Sequence, residues 1–172
     1  RKDRFGSASF ETIFFGGGTP SLLTPRQIEI VLACLRTSFR VAPGAEVTLE
    51  ANPGTVTRQS LTAFRSLGVN RLSVGIQSFD DHDLAFLGRI HDRAEAFRCM
   101  DWSRAAGFEN VGMDLIYSVP GQTLQRWEEN LRTAVDLAPQ HIAAYSLIVE
   151  DRTPLAQMVE AGEVHRNPAD QE

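Results

Sequence analysis

Two carboxylates and one amide are predicted to lie on the same face of a β-sheet, where they could bind a polar ligand. Side chains alternate between the two faces of a strand, so each apolar run of this chain divides into two sets. One set is small or polar and contains Glu50, Gln77 and Asp114. A carboxylate buried without a partner is costly, so each needs a cation, hydrogen-bond donors or a polar ligand. A salt bridge to Arg71 or Arg89 is the purely structural alternative.

A glycine triplet follows the first predicted strand. Gly16, Gly17 and Gly18 precede Thr19 and Pro20, and glycines there free the backbone to approach a ligand and to point N–H groups at it. No lysine follows as in a Walker loop, and the G-x-G-x-x-G order of a dinucleotide fingerprint is absent. A flexible strand-to-helix turn without a ligand, and a loop that binds a small phosphorylated ligand, are the alternatives.

The elements that must position these residues are repeated strand-helix units. Five short apolar runs recur at intervals close to the roughly 30 residues of a βαβ unit, with helical patterns between them, which predicts a parallel sheet. The predicted strands are Thr12–Gly16, Glu46–Ala51, Arg71–Gln77, Val111–Tyr117 and Ile142–Val149. Five units are fewer than the eight of a complete (β/α)8 barrel, so either the barrel or the chain is incomplete.

Local signals place the ends of the helices between the strands. Thr24 with Gln27, and Asp92 with Glu95, have the spacing of a capping box at a helix start. Glycines that can take the left-handed conformation are expected to end two helices, at Gly68 and Gly107.

The two faces of the predicted strands differ in size and polarity. The bulky set is suited to packing beneath helices; it consists of Val47, Leu49, Leu72, Val74, Ile76, Val111, Met113 and Leu115. The other set leaves room and places polar groups toward the carboxyl ends of the strands, where barrel active sites lie; it consists of Thr48, Glu50, Ser73, Gly75, Gln77, Gly112, Asp114, Ala144, Ser146 and Ile148. The inner face is therefore predicted to form a ligand cavity.

Composition narrows the possible functions. The chain has 172 residues, 42% of them hydrophobic, and a formal charge of −5, which is typical of a globular domain. It has no basic stripe for nucleic acid, and no run approaches the roughly 20 apolar residues of a membrane span, so neither nucleic-acid nor membrane binding is indicated. Cys34 and Cys99 are expected to be buried thiols in a reducing cytoplasm. A first residue other than Met, Arg1, predicts a piece of a longer protein.

Five ordered motifs resemble those of one protein family. They are FFGGGTPSLL, VTLEANPGT, NRLSVGIQSF, LGRIH and MDLIYSVPGQT, spread over about residues 11–161. In this order and spacing they closely resemble the radical S-adenosylmethionine (SAM) proteins of the oxygen-independent coproporphyrinogen III oxidase family. Two motifs, LEANPGT and LGRIH, favour its HemW branch of haem chaperones.

The resemblance implies an α/β fold, a partial (β/α)6 barrel whose first strand and cluster loop are missing. The barrel would span residues 11–162, with 1–10 and 163–172 as flanks. The family binds SAM and a [4Fe-4S] cluster in the barrel mouth, and haem is a further candidate ligand. Its cluster ligands stand in a CxxxCxxC loop, which this sequence lacks. A fragment is therefore the main interpretation, and a cluster-free paralogue is the alternative.

Carried over by position, the family's cofactor contacts fall on eight residues. The methionine end of SAM would lie against Gly17, Gly18 and Thr19, and Glu50 matches the family's acidic cofactor residue. Three further positions match those that hold a second SAM molecule in the oxidase branch, and an apolar contact accompanies them: Gln77, Arg89, Asp114 and Ile148. The number of SAM molecules bound here stays open.

Two functions follow from the resemblance. A haem chaperone would bind haem and deliver it to an acceptor protein, whereas an oxidase would decarboxylate coproporphyrinogen III after hydrogen abstraction by a 5′-deoxyadenosyl radical. Either would use an electron donor for its cluster. The protein's own part in such chemistry is orientation and exclusion of water. Without the cluster loop, the chain by itself is expected to be catalytically silent.

Overall fold

The computed structural model describes residues 8–165 and contains one sheet of five parallel strands in chain order. Each strand pairs in parallel with the next. Consecutive parallel neighbours joined by helices curve into a half-barrel instead of an open sheet with a strand-order switch. The strands are β1 (Ser9–Phe15), β2 (Arg40–Ala51), β3 (Arg71–Gln77), β4 (Asn110–Tyr117) and β5 (His141–Ser146). This confirms the predicted partial barrel.

The described part of the chain contains six α-helices. They are α1 (Pro25–Ser38), α2 (Arg58–Ser66), α3 (Asp81–Phe86), α4 (Arg93–Ala105), α5 (Leu124–Asp136) and α6 (Pro154–Glu160). Short 3₁₀ turns at Pro20–Leu22 and Pro53–Thr55 follow β1 and β2. None of the helices among residues 8–165 is long and apolar enough to cross a membrane.

The predicted helix ends are present. Thr24 caps α1 by accepting a hydrogen bond from the Gln27 backbone N–H, and the Gln27 side chain accepts from the Thr24 backbone N–H at 2.8 Å. Asp92 and Glu95 form the same reciprocal pair at the start of α4. A left-handed glycine follows α2 and α4, with φ of +102° at Gly68 and +86° at Gly107.

The core lies between the outer face of the sheet and the helices. All eight bulky strand residues of the predicted outer set are buried there. Helices α1, α2 and α4 supply the opposite wall through Ile28, Leu32, Leu61, Phe64 and Met100. Burial of this apolar surface is the main favourable term in folding, and it leaves the opposite face of the strands free for polar groups.

Three strand predictions were wrong at one end by three residues or more. β1 begins at Ser9 instead of Thr12 and ends at Phe15 instead of Gly16. β2 begins at Arg40 instead of Glu46, because residues 40–41 pair with Ser9 and Phe10 before an irregular stretch that contains Pro43 and Gly44. β5 ends at Ser146 instead of Val149.

The predicted inner face of β5 was also wrong by one residue. Ala143 is in register with Asp114, so Ala143 lies on the inner face, while Ala144 is in register with the core residue Leu115. Ile142 packs against the core, which places His141 and Tyr145 on the inner face with Ala143. The run HIAAYS has no clear polar alternation that could have fixed this register.

The predicted burial of both cysteines was half right. Cys99 is buried in α4, whereas Cys34 is exposed on α1. The boundaries proposed for the barrel domain, 11–162, fall within the described residues, but parts of both flanks, 1–7 and 166–172, lie outside them.

Candidate functional site

A cavity of about 210 Å³ opens at the carboxyl ends of β1 to β4. Parallel strands end at the same edge of a sheet, so residues far apart in sequence meet there. Its walls contain Gly18, Thr19, Pro20, Glu50, Ala51, Asn52, Ser73, Gly75, Gln77, Arg89 and Asp114. The volume is below the roughly 300–1,000 Å³ typical of drug-sized ligands, so these residues enclose only part of a ligand of that size.

The glycine loop after β1 closes against Glu50. Gly17 has a φ of +89°, a conformation that glycine adopts without strain, and its N–H donates to the Glu50 carboxylate at 3.0 Å. A Cβ at Gly16 would stand 3.2 Å from the Glu50 carboxyl carbon and 2.4 Å from the ring of Phe14. The loop therefore needs small residues to hold the carboxylate at the cavity.

Asp114 faces the cavity from β4 and contacts Ser73 on β3. The Ser73 hydroxyl donates to the Asp114 carboxylate at 3.2–3.3 Å. Burial raises the pKa of Asp114 above its ordinary value, the Ser73 hydrogen bond lowers it, and the nearby Glu50 charge raises it further. Two carboxylates thus share one cavity at an electrostatic cost that a bound cation would relieve.

The alternative of internal salt bridges does not hold for the described residues. Neither Glu50 nor Asp114 has an arginine, lysine or histidine nitrogen within 4.0 Å; Arg71 instead approaches Glu46 at 3.6 Å. Arg89 reaches the cavity with its Nε buried and without a hydrogen-bond partner. Burial lowers the pKa of Arg89 from its ordinary value.

Gln77 ends β3 in an unusual backbone conformation. Its φ is +69°, which is rare for a residue with a side chain and is typical of functional sites. The neighbouring Gly75 provides space: a Cβ there would stand 2.7 Å from the Gln77 Nε2. A side chain at position 75 would therefore displace the Gln77 amide within the cavity.

The structure brings most of the predicted site residues together. Six of the eight line the cavity, and Gly17 contacts it through Glu50. Ile148 does not line it: the residue lies beyond the end of β5, with 69% of its surface exposed.

Three cavity residues were predicted neither as site residues nor on the inner face: Pro20, Ala51 and Asn52. Pro20 follows the glycine loop and Asn52 follows Glu50 after a single alanine. Their backbones are joined through Ser21, whose hydroxyl accepts from the Asn52 N–H at 3.2 Å and lies 2.6 Å from the Thr55 hydroxyl. The position of Asn52 directly after a strand that carries Glu50 was the available signal.

Comparisons with known proteins agree with this fold. The profile of the Radical SAM superfamily matches residues 3–134. The chain belongs to the radical SAM superfamily. Heme chaperone HemW of Bacillus subtilis is 36% identical over 168 residues, and that of Escherichia coli is 41% identical over 143 residues. Within the superfamily the chain falls in the branch of HemW and the oxidase HemN.

A solved structure shows the same radical SAM fold. Coproporphyrinogen III oxidase (HemN) from Escherichia coli superimposes with a TM-score of 0.83 at 26% identity, over 99% of this chain and 39% of that one. The chain likewise spans 44% of the Bacillus and 38% of the Escherichia HemW sequences. It therefore corresponds to less than half of the relatives it matches.

The polar groups lining the cavity of this radical SAM domain fit part of SAM, one of the two groups that the family implies. SAM carries an amine, a carboxylate and ribose hydroxyls, which suit carboxylate, guanidinium and amide partners. Glu50 and Asp114 supply the acceptors, and Gln77 supplies the amide. The buried Nε of Arg89 lacks a partner in the described structure, and a carboxylate would provide one.

The residues of this radical SAM domain do not fit the other group, the [4Fe-4S] cluster. Such a cluster is held by cysteine thiolates, and the two cysteines here stand on different helices. Burial raises the pKa of the Cys99 thiol to about 12, which opposes the thiolate that iron needs. We therefore attribute no cluster-binding role to Cys34 or Cys99.

Proposed function

We propose that this chain is the SAM-binding part of a haem chaperone of the HemW type. The observation that carries the proposal is the cavity in which Glu50, Asp114 and the unpaired Arg89 meet. It occurs in a chain that is 36% identical over 97% of its length to a protein named heme chaperone HemW.

Within the cavity, each side chain has a defined task toward SAM. Glu50 and Asp114 accept hydrogen bonds from the SAM amine and hydroxyls, and Arg89 donates to the SAM carboxylate. Gly18 and Thr19 line the methionine end through their backbones, and the Gln77 amide orients the ligand. SAM supplies an activated sulfonium when it is bound, and the chain holds it in place.

The proposed partners follow from the same relatives. Haem is the proposed cargo, an acceptor protein receives it, and an electron donor serves the cluster that the family implies. A cytoplasmic location is proposed for this protein, whereas relatives from Mus musculus and Bos taurus are named as mitochondrial. Ile148, which does not line the cavity, remains a proposed apolar contact of the ligand.

A second candidate function is oxygen-independent coproporphyrinogen III oxidation. The TM-score of 0.83 to HemN favours it. Such an enzyme converts two propionates of coproporphyrinogen III to vinyl groups and yields protoporphyrinogen IX. A third candidate is a cluster-free paralogue that binds a ligand without catalysis, for which the absence of CxxxCxxC from the chain is the relevant observation.

Haem titration and anaerobic turnover distinguish these functions. The complete gene product that contains this chain is titrated with haem and followed by its Soret absorbance, then incubated with SAM, a reductant and coproporphyrinogen III. A chaperone binds haem and leaves coproporphyrinogen unchanged, whereas appearance of protoporphyrinogen IX would contradict the chaperone function. The 172-residue chain alone is expected to produce no 5′-deoxyadenosine.

A further inference from the structure

The turn at Gln77 is strained and must be held by its surroundings. The Ser78 N–H donates to the Ile76 carbonyl at 2.9 Å, and with a φ of +69° at Gln77 this forms the rare positive-φ γ-turn. On the far side, the Phe79 N–H donates to the Asn130 side chain of α5. The Ile76 carbonyl at the start of the turn needs a contact of its own, because a strained backbone conformation persists only where neighbouring groups hold it.

His91 supplies a contact on that side. The residue is 3% exposed, and its Nε2 lies 3.1 Å from the Ile76 carbonyl oxygen. Because a carbonyl only accepts, Nε2 carries the hydrogen and donates it. The other ring nitrogen, Nδ1, then carries no hydrogen. It lies 3.1 Å from Oδ1 of the cavity residue Asn52, which itself accepts from the Gly54 N–H, so this approach is a packing contact and not a hydrogen bond.

We propose that His91 is a positioning residue of the SAM site. Its imidazole donates to the Ile76 carbonyl of the Gln77 turn at the end of β3 and packs against the Asn52 segment at the end of β2. It stands two residues after Arg89. The buried ring is thus hydrogen-bonded to the turn that carries Gln77 and packed against Asn52, two residues of the cavity wall. This inference rests on the proposed binding of SAM, and it assigns His91 no contact with the ligand.

The packing around His91 supports the same role independently of its hydrogen bond. A Cβ at Gly54 would stand 2.9 Å from the Ile90 side chain and 3.6 Å from the His91 Cβ. The Gly54 N–H also donates to the Asn52 Oδ1 at 3.2 Å. The loop after β2 therefore lies directly on residues 90–91, and a side chain at position 54 would require the Ile90 side chain to move.

Three substitutions of His91 distinguish the effect of a hydrogen-bond donor at the Nε2 position from the effect of filling the space of the ring. His91→Gln can donate near the Nε2 position, His91→Asn is too short to reach the Ile76 carbonyl, and His91→Phe fills the space without a donor. His82→Phe, on an exposed histidine of α3, is the control. SAM affinity of the 172-residue chain is measured by calorimetry, and hydrogen exchange of the Ser78 amide is measured by NMR.

We expect His91→Phe and His91→Asn to bind SAM about tenfold more weakly, which is the effect of losing one buried hydrogen bond. His91→Gln should stay within about threefold of the unmodified chain, and only the first two variants should speed Ser78 exchange. Equal weakening in His91→Gln, or unchanged Ser78 exchange in His91→Asn, would overturn the proposal. If His91→Phe does not fold, the Asn and Gln variants carry the comparison.

The two proposals can fail separately. If the unmodified chain binds no SAM, the proposed function fails, whereas the Ser78 exchange rates of ligand-free variants still decide whether His91 holds the turn. Unaltered exchange in every folded variant would overturn the role of His91 even if SAM binds.

Discussion

At the scale of single residues, the cavity keeps charged groups without the partners that stability alone would favour. Asp114 has one hydroxyl donor from Ser73, and the Nε of Arg89 has none. Buried polar groups are usually paired because desolvation is costly. Unpaired groups of opposite charge around one cavity are therefore best explained by a ligand that carries both charges.

Replacing Asp114 by Asn should stabilise the ligand-free chain at neutral pH. The folded-state pKa of Asp114 is raised, chiefly by burial, so folding penalises its charged form at any pH above that folded pKa. Below the ordinary value of 3.8 the carboxyl is protonated in both states, and the penalty disappears. Thermal unfolding should show Tm raised by about 2 °C at pH 8 and little change at pH 3.5.

The matched control for this variant is Asp101→Asn on α4, which removes the same charge from an exposed position. A stabilisation by Asp114→Asn that persisted undiminished at pH 3.5, or that the control reproduced, would show that burial of the carboxylate is not its source.

Alanine at Gly75 should weaken SAM binding without unfolding the chain. The added methyl would stand 2.7 Å from the Gln77 Nε2, the flexible end of a side chain, so Gln77 moves and the sheet does not. Removing a glycine also reduces the entropy of the unfolded chain. Calorimetry should show a roughly fivefold loss of affinity, a difference of about 1 kcal/mol, at an unchanged or higher Tm.

Gly112→Ala provides the comparison on the next strand. Its Cβ would make only ordinary contacts, at 3.5 Å from the His141 Cβ, and Gly112 does not line the cavity. Equal loss of affinity in both variants would argue that the inner face in general, and not the Gln77 amide, controls binding.

At the scale of elements, a buried polar network holds α3 against α5. Asp83 is fully buried, and the Arg126 guanidinium contacts its carboxylate at 2.6 Å and that of Asp80 at 2.8 Å. The amide of Gln122 and the hydroxyl of Ser78 also donate to Asp83. This network lies directly after β3 and β4, so it fixes the loops at the edge where the cavity opens.

Removing Arg126 should strongly destabilise the chain. Arg126→Ala leaves the Asp83 carboxylate buried beside polar groups but without its cation, and breaking a buried pair in this way typically costs about 3–5 kcal/mol. Arg132→Ala on the same helix should change the unfolding free energy by less than about 1 kcal/mol, because its pair with Glu128 is exposed. Denaturant unfolding that gave equal losses would refute this role for the network.

The helices and strands also show which features of the fold can be predicted from residues close together in sequence. Capping boxes and glycine stops involve neighbours in sequence, so Thr24, Asp92 and Gly68 could be interpreted directly. The polar face of β2 to β4 was predictable because their alternation is clear. The inner face of β5 and the turn at Gln77 were not, because register and strained backbone depend on tertiary contacts such as that of His91 with Ile76.

At the scale of the whole molecule, five parallel strands in chain order bring strand and loop residues between Gly18 and Asp114 to one cavity. The residues that form the cavity are far apart in sequence, and the half-barrel brings them together at the carboxyl ends of β1 to β4. The outer face of the sheet carries the apolar core, and the inner face is consequently free to hold polar side chains. The family resemblance is the reason for proposing SAM as the ligand. From the geometry of the cavity alone, only a small zwitterion could have been inferred.

Calorimetric titration of the 172-residue chain with SAM tests the central claim most directly. The unmodified chain should bind SAM, and the double variant Glu50→Ala/Asp114→Ala should lose at least about tenfold in affinity while its circular dichroism stays the same. Asp101→Ala/Glu128→Ala removes two exposed carboxylates and should bind as the unmodified chain does. Full SAM affinity in the folded Glu50→Ala/Asp114→Ala chain would contradict the assignment of this cavity as the SAM site.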